Sequence, residues 1–317
     1  MGRLKTKRKQ GKNTKPTHVN PPVVNRRALE KSTVDVTRLL QEQEFGSVEE
    51  ANAFLQGILS AGKPIASTLR TPLAKAQDLM YDAWESSGKR RVALAQKALK
   101  ISGDCADAYG LLAEETARSL EEAKNLYELG VKAGERALGP KAFEEGVGHF
   151  WGILQTRPYM RARAGLAQSL WRLGKHQQAI DHYADMLRLN PNDNQGIRYL
   201  LAQGLLEEKA DEAFDRLMRQ YPHDAAAAWV YTRALWFFRR EGESKKSNVC
   251  LRQALKVNRF VPSYLLGKKK IPQELPEYIG WGDESEAFAY AAEAINLWQE
   301  TEGALEWLTK SLTGRSS

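Results

Sequence analysis

The sequence predicts an all-α fold in which helix–turn–helix repeats stack into a right-handed α-solenoid. Apolar residues recur at helical spacing through most of the chain. Residues 160–193 form two short amphipathic segments joined at Gly174, and they close on a Leu-Asn-Pro-Asn run that ends at Asn192. A composition of 42% apolar and 27% charged residues fits a folded protein. Units of this kind bury their apolar faces by stacking on their neighbours, which produces an elongated solenoid.

The best-formed unit, residues 160–193, has the layout of a tetratricopeptide repeat (TPR), whose length is about 34 residues. With Pro191 set at repeat position 32, small and large apolar residues fall where the two helices of a repeat interlock: Leu166, Ala167, Leu170, Ala179, Tyr183 and Leu189. Two positions depart from the usual pattern, with Arg163 in place of Trp and Met186 in place of Ala. Less regular units surround this one, so residues 105–262 are predicted to be TPR-like repeats.

Residues 1–45 are predicted to form a basic, largely disordered tail. Residues 1–31 contain ten Lys or Arg and a single acid, Glu30, whereas the remaining residues hold 37 basic and 38 acidic groups. Three prolines and weak apolar periodicity favour disorder through Ser32. A short helix is expected over residues 33–43.

Residues 46–104 are predicted to be N-terminal helices. Ser47 and Glu50 match a capping box that opens a helix through Ser60. A long helical region over residues 73–101 is divided near Gly88. Residues 104–139 then predict two helices, and the Gly139–Pro140 pair predicts a break. A further helix is expected over residues 143–155, stopped by Pro158.

Two weaker units follow the central repeat, one from Asn194 and one from Ala226. Residues 263–317 are predicted to be an irregular connector and C-terminal capping helices, with Asp283 at the start of the first of these helices. Such caps cover the apolar face that the last repeat of a solenoid otherwise exposes.

Several runs resemble the ST7 (suppressor of tumorigenicity 7) family over residues 80–240. They are Cys105-Ala-Asp-Ala-Tyr109, Gly-Leu-Leu-Ala-Glu-Glu115, Glu121-Glu-Ala-Lys-Asn-Leu-Tyr127, and the downstream Leu166-Ala-Gln168 and Arg172-Leu-Gly-Lys175. The run from Pro262 to Glu286 is similar to uncharacterised soluble repeat proteins related to that family. The resemblance implies a repeat fold without catalytic residues. Animal members are membrane-anchored, but no apolar run in this sequence reaches the ~18 residues that span a bilayer.

The concave face of the solenoid is the first candidate binding site. In this fold, positions 2, 5, 9, 12 and 13 of each first helix line that face. These positions include Arg161, Gln168, Trp171, Arg172 and Arg198. Arginine forks bind carboxylates and stack on aromatic rings, so one hypothesis is a groove for an acidic or C-terminal peptide. The alternative is that each arginine pairs with acids of its own chain. A chaperone-type carboxylate clamp is disfavoured because Ala164 and Gln168 occupy its positions.

An aromatic cluster, Trp229, Tyr231, Trp236, Phe237 and Phe238, fits one helix buried on most sides. Core packing is favoured over a ligand cage. Because Phe237 and Phe238 fall at groove positions 12 and 13, they are also candidate partner-binding residues.

The tail is the second candidate site. Lys5, Lys7, Arg8, Lys9 and Lys12 could bind RNA, a ribosome or another acidic surface by neutralising phosphates, or simply keep the chain soluble. No aromatic residue lies in this run to stack on bases.

Catalytic, metal and cofactor sites are not expected. The sequence has no Cys-x-x-Cys, no His-Glu-x-x-His and no Gly-rich phosphate loop. Cys105 and Cys250 are expected to be small buried residues. The preferred function is therefore a non-enzymatic scaffold that binds a protein segment in its concave groove. The expected location is cytoplasmic, with the nucleus as an alternative in a eukaryotic host.

Overall fold

The computed structural model describes residues 26–60, 70–273 and 279–313, which form fifteen α-helices and no strand. The first eight helices are α1 Arg26–Gln41, α2 Val48–Ser60, α3 Pro72–Trp84, α4 Gly88–Ile101, α5 Ala106–Thr116, α6 Leu120–Glu145, α7 Arg157–Arg172 and α8 His176–Leu189. The remainder are α9 Ile197–Glu207, α10 Asp211–Gln220, α11 Ala227–Glu241, α12 Lys245–Val257, α13 Val261–Leu265, α14 Glu284–Glu300 and α15 Ala304–Leu312.

From α3 onward the helices pack as consecutive pairs. The first helices of the pairs are α3, α5, α7, α9, α11 and α14, and each contacts the helix that completes its pair: α4, α6, α8, α10, α12 and α15. First helices also contact one another, α3 with α5, α5 with α7, α9 with α11 and α11 with α14. This layout confirms the predicted TPR-like α-solenoid, and the contacts among the first helices form one face of it.

Glycine permits close helix approach at the centre of the solenoid. The Cβ atom of an alanine at Gly134 would lie 2.8 Å from Cβ of Tyr159, and at Gly165 it would overlap the Tyr127 ring. Gly174 has a φ of 74° in the turn between α7 and α8, a conformation that glycine adopts without steric cost. The predicted helix–Gly turn–helix unit is therefore confirmed.

The aromatic residues divide between the two ends of the main core. Phe150 and Tyr159 pack near the start of α7, while Trp229 and Tyr231 on α11 are fully buried. Cys105 and Cys250 are both buried free thiols, as expected. A separate small core joins α3, α4 and α5.

The predicted helix over residues 143–155 is wrong. Helix α6 continues through a kink at Gly139, where φ is 69°, and ends at Glu145. Residues 146–153 then turn, and the amides of Gly148 and Phe150 donate to the Leu189 carbonyl at the end of α8. Pro158 lies in the first turn of α7, where a missing amide hydrogen does no harm, so it begins a helix instead of stopping one.

The boundary of the predicted tail also needs correction. Helix α1 begins at Arg26, seven residues before the predicted start at Thr33. The physical reason is tertiary: Glu30, predicted to lie in the disordered tail, is buried against α7. Residues 1–25 lie outside the described residues.

Candidate functional site

Arg161 lies at the centre of an ion-pair cluster on the face built by the first helices. Its Nε and Nη2 atoms donate to the two carboxylate oxygens of Asp107 on α5, at 2.7 and 2.5 Å. Its Nη1 atom lies 3.1 Å from both carboxylate oxygens of Glu30 on α1. The side chains of Asp107 and Glu30 are only 2% and 6% exposed, so these pairs are shielded from water. One guanidinium thus holds two carboxylates from two other helices.

The electrostatics of the cluster favour the ionised forms. Burial alone would raise the pKa of Asp107, but the charge of Arg161 and its hydrogen bonds outweigh burial and lower that pKa. Burial alone would lower the pKa of Arg161, and Asp107 reverses the effect. Gln77 on α3 completes the shell of Asp107 by donating from its amide at 2.8 Å. The cluster therefore ties α3, α5 and α7 together on one face.

Glu30 has two further donors. The hydroxyl of Tyr81 on α3 donates to it at 3.2 Å, and Nη1 of Arg157 on α7 does so at 3.2 Å. Burial, followed by the negative charge of Glu30, raises the pKa of Tyr81, so this hydroxyl keeps its proton. A carboxylate with three donors around it is well satisfied despite its burial.

Helix α1 also pairs with α3 along its length. Lys31 donates to Asp82 at 3.4 Å, and Arg38 donates to Asp78 at 2.7 Å. The residue numbers of the partners on α3 fall as the residue numbers on α1 rise, so the two helices run antiparallel. The guanidinium carbon of Arg27 lies 3.9 Å from the centroid of the Trp84 ring, a cation–π contact. The first-helix face of α3, α5 and α7 is thus occupied by α1.

Three of the predicted groove residues lie on one stripe of α7. Arg161, Gln168 and Arg172 are separated by seven and four residues, so they share a side of the helix at ~3.6 residues per turn. Gln168 and Arg172 are exposed, and neither forms an ion pair or hydrogen bond with another described side chain. Trp171 is half-buried and stacks on His176, with ring centroids 4.1 Å apart. The stripe extends past α1 into open surface.

Arg198, another predicted groove residue, is held by acids of its own chain. Its Nε atom lies 2.5 Å from Asp224, its Nη1 atom 2.9 Å from Asp193, and its Nη2 atom donates to the Tyr199 hydroxyl at 2.6 Å. Arg161 is similarly engaged, so at these two positions the guanidinium already has carboxylate partners in its own chain. The alternative, pairing with acids of the same chain, describes both. The repeat positions predict that these arginines lie on the face, but they do not predict which acids pair with them.

The aromatic cluster is mostly core, as favoured. Trp229, Tyr231 and Trp236 are buried. Phe238 does not face an open groove, because it stacks on Trp307 of α15 with ring centroids 4.4 Å apart. Phe237 is half-buried beneath the ammonium group of Lys246, 3.9 Å from its ring centroid. The helix that caps the solenoid therefore covers part of the predicted binding surface.

The residue that replaces the usual Trp of the repeat, Arg163, has a polar role. Its guanidinium donates to the Tyr159 hydroxyl at 2.7 Å and to Nδ1 of His182 at 3.1 Å, and it pairs with Asp185. These contacts join α7 to α8, so the departure from the repeat pattern preserves the pairing of the two helices by other means.

Five residues of the cluster were not predicted: Glu30, Gln77, Tyr81, Asp107 and Arg157. Two carried a signal. Glu30 is the single acid among ten basic residues, and Asp107 interrupts the apolar stripe of α5 between Cys105 and Ala108. Neither pattern predicts that these acids pair with Arg161, because Arg161 is distant from both in the sequence. The predicted tail site, residues Lys5, Lys7, Arg8, Lys9 and Lys12, lies outside the described residues.

These features define an all-α TPR-like repeat protein with a polar, partly occupied first-helix face. The family model described as ST7 protein matches residues 70–315, and the chain belongs to the ST7 family.

Two curated relatives show the extent of the similarity. A human protein named suppressor of tumorigenicity 7 protein-like is 29% identical over 259 residues, covering 74% of this chain and 45% of the relative. A protein named Protein ST7 homolog from Drosophila melanogaster is 27% identical over 255 residues, covering 73% of this chain and 47% of the relative. The chain thus spans about half the length of the curated relatives it matches.

A solved structure is also similar, the crystal structure of YrrB, a TPR protein with an unusual peptide-binding site. It is 20% identical with a TM-score of 0.40, and the match covers 64% of this chain and 91% of that one. Among residues 26–60, 70–273 and 279–313, no helix has both the length and the apolar character needed to cross a membrane.

Proposed function

We propose that this chain is a non-enzymatic scaffold that binds a helical segment of a partner protein on the face built by its first helices. The observation that carries the proposal is the contact of Arg157 and Arg161 with Glu30. In this contact helix α1 of the same chain lies on the face, and the two arginines bind the carboxylate of its Glu30. An amphipathic helix that lies in a groove is a common mode of peptide recognition.

The α7 stripe supplies the open part of the surface. Gln168 and Arg172 continue the line of Arg161 toward the C-terminal end of α7, the latter about 16 Å further along at ~1.5 Å per residue. Arg172 is exposed and offers a planar fork for a carboxylate. A partner segment with acidic groups fits this stripe.

Affinity capture with the double variant Gln168→Glu/Arg172→Glu tests the proposal. Both side chains are exposed, so the change reverses the charge of the stripe without removing a buried ion pair. Arg161 and Arg198 are unsuitable for this purpose because their loss unpairs buried acids. The matched control is Gln178→Glu/Arg216→Glu, which makes the same chemical change at exposed positions of α8 and α10.

Proteins captured by the wild type and the control, but lost from the stripe variant, are the expected result. Identical sets of captured proteins for all three forms would count against the first-helix face. Capture that depends only on residues 1–25 would favour the alternative, in which the basic tail binds RNA or a ribosome.

A further inference from the structure

Helix α1 is held on the solenoid by polar contacts and not by a shared core. Among the described residues, no apolar side chain of α1 belongs to either hydrophobic cluster. Leu29 is 59% exposed, and Val34 and Leu39 are only half-buried. Apolar burial, the main source of helix–helix stability, therefore contributes little here.

The interface beneath α1 is incompletely filled. A cavity of about 320 Å³ lies between α1 and the solenoid. Val34, Arg38 and Gln41 of α1 form one side, and Tyr81 and Tyr159 lie on the other. Protein cores are close-packed, so a cavity of this size marks a surface that does not fit its occupant closely.

The ion pairs that hold α1 are one buried anchor, one partly buried pair and one exposed outer pair. The partly buried pair is Arg38 with Asp78, whose side chains are 15% and 20% exposed. Glu30 is the anchor, with Arg157 and Arg161 as its partners. The outer pair of Lys31 with Asp82 has side chains that are 36% and 52% exposed. Exposed pairs of this kind contribute roughly 0–1 kcal/mol each. These ion pairs therefore fix the position and orientation of α1 more than they contribute to the free energy that holds α1 on the solenoid.

Helix α2, which follows α1 in the chain, provides no buried side chain among the described residues to hold α1 in place. Residues 42–47 lead into α2, and no described side chain of α2 is buried. The aromatic contact between Phe45 and Phe54 is local to this segment. A tethered helix competes with an added ligand at a high effective concentration, so it lowers apparent affinity without blocking the site permanently.

We infer that α1 is an exchangeable, autoinhibitory occupant of the first-helix face of α3, α5 and α7. The partner that displaces it is an amphipathic helix presenting a carboxylate to Arg157 and Arg161, and basic side chains to Asp78 and Asp82. The inference rests on the proposed function, since it assigns the ligand chemistry and the regulation of the same face.

A peptide supplied in trans tests this directly. The probe is a fluorescent synthetic peptide of residues 26–43, and the protein is the full chain. The variant Glu30→Arg places a cation against Arg157 and Arg161 and releases α1, while Asp107 still neutralises Arg161. The matched control, Glu44→Arg, makes the same charge change at an exposed position outside α1.

The released variant should bind the peptide at least ~10-fold more tightly than the wild type or the control, because the site is no longer occupied in cis. A peptide carrying Glu30→Arg should not bind the variant. Equal binding by wild type and variant, or equal binding of the two peptides, overturns the inference.

Hydrogen exchange in the wild-type chain gives a second readout that does not depend on the folding of a variant. The amides of α1 should exchange faster than those of α3 and α7, because α1 opens locally. Equal protection of all three helices overturns the inference. Failure of the proposed function is measured separately, by affinity capture with the Gln168→Glu/Arg172→Glu variant. That experiment uses no peptide, and unchanged capture would contradict the proposed function without bearing on α1.

Discussion

Nη1 of Arg161 lies 3.1 Å from both carboxylate oxygens of Glu30, although the two residues are 131 positions apart in the sequence. The same guanidinium holds Asp107 with its other two nitrogens. A segment that composition assigns to a basic tail is thereby joined to the middle of the solenoid. The pairing of these residues joins α1, α5 and α7 through one guanidinium and two buried carboxylates.

Arg161→Ala should destabilise the chain strongly. The substitution leaves Asp107 without its main counterion and removes one of the cations that neutralise Glu30, and unpairing a buried charge costs about 3–5 kcal/mol. Urea unfolding followed by circular dichroism measures the change. Arg172→Ala on the same helix is the control, because this exposed side chain should alter the free energy of unfolding by no more than ~0.5 kcal/mol. Equal effects of the two substitutions would show that the cluster does not stabilise the fold.

Gly165→Ala should lower the free energy of unfolding by about 1–3 kcal/mol through overpacking, since the new methyl group overlaps the Tyr127 ring. Gly57→Ala is the matched control in exposed helix α2, where a Cβ atom meets nothing within 4 Å. The control should leave stability unchanged or raise it by ~0.5–1 kcal/mol, because alanine is the better helix former. A tolerated Gly165→Ala would mean that α6 and α7 lie further apart than described.

His182 should make stability fall in mild acid. Burial, followed by the positive charge of Arg163, lowers the pKa of this imidazole, whose Nδ1 accepts a hydrogen bond from Arg163. Below its unfolded pKa of about 6.5, the unfolded chain binds a proton that the folded chain resists, so the free energy of unfolding decreases as pH falls toward the lowered folded pKa. Urea titrations between pH 7.5 and pH 5 should show a smaller decrease for His182→Gln. Parallel pH profiles of wild type and variant would contradict this.

Glu286→Ala should loosen the C-terminal end of the solenoid. This buried carboxylate accepts hydrogen bonds from the Ala227 amide at 2.9 Å, the Asn258 side chain at 3.0 Å and the Gly282 amide at 2.9 Å. Its loss leaves buried donors unsatisfied, at a cost of at least ~2 kcal/mol. Faster proteolysis within residues 258–313 is the expected result. Glu300→Ala, which removes an exposed acid at the end of the same helix, should be cleaved at the wild-type rate. Equal cleavage rates for the two variants would argue against this role of Glu286.

Local pattern predicted most of the helices because their causes are local. The glycine turn at Gly174, the cap at Asp283 and the apolar stripes of α7 and α8 each depend on residues within a few positions. The helix predicted over residues 143–155 is wrong because a proline is compatible with two different positions relative to a helix. A proline ends a helix that precedes it and also suits the first turn of one that follows, and here Pro158 does the second.

The binding face was predicted less completely. Repeat position placed Arg161, Gln168 and Arg172 on one side of α7, and the helical period is sufficient for that. It could not show that Arg161 and Arg198 are neutralised by acids, since Asp107, Glu30 and Asp224 reach them from other parts of the chain. Nor could it show that Phe238 is covered by Trp307 of the capping helix.

The sequence by itself determined an all-α repeat chain, the register of its central unit and the residue types along the first-helix face, because helical periodicity and turn chemistry act over a few residues. The tertiary structure alone decided that Glu30 of α1 lies against Arg157 and Arg161, and that this face is occupied in cis. Ion pairs between helices depend on which surfaces the packing brings within about 4 Å, and no local pattern encodes that distance.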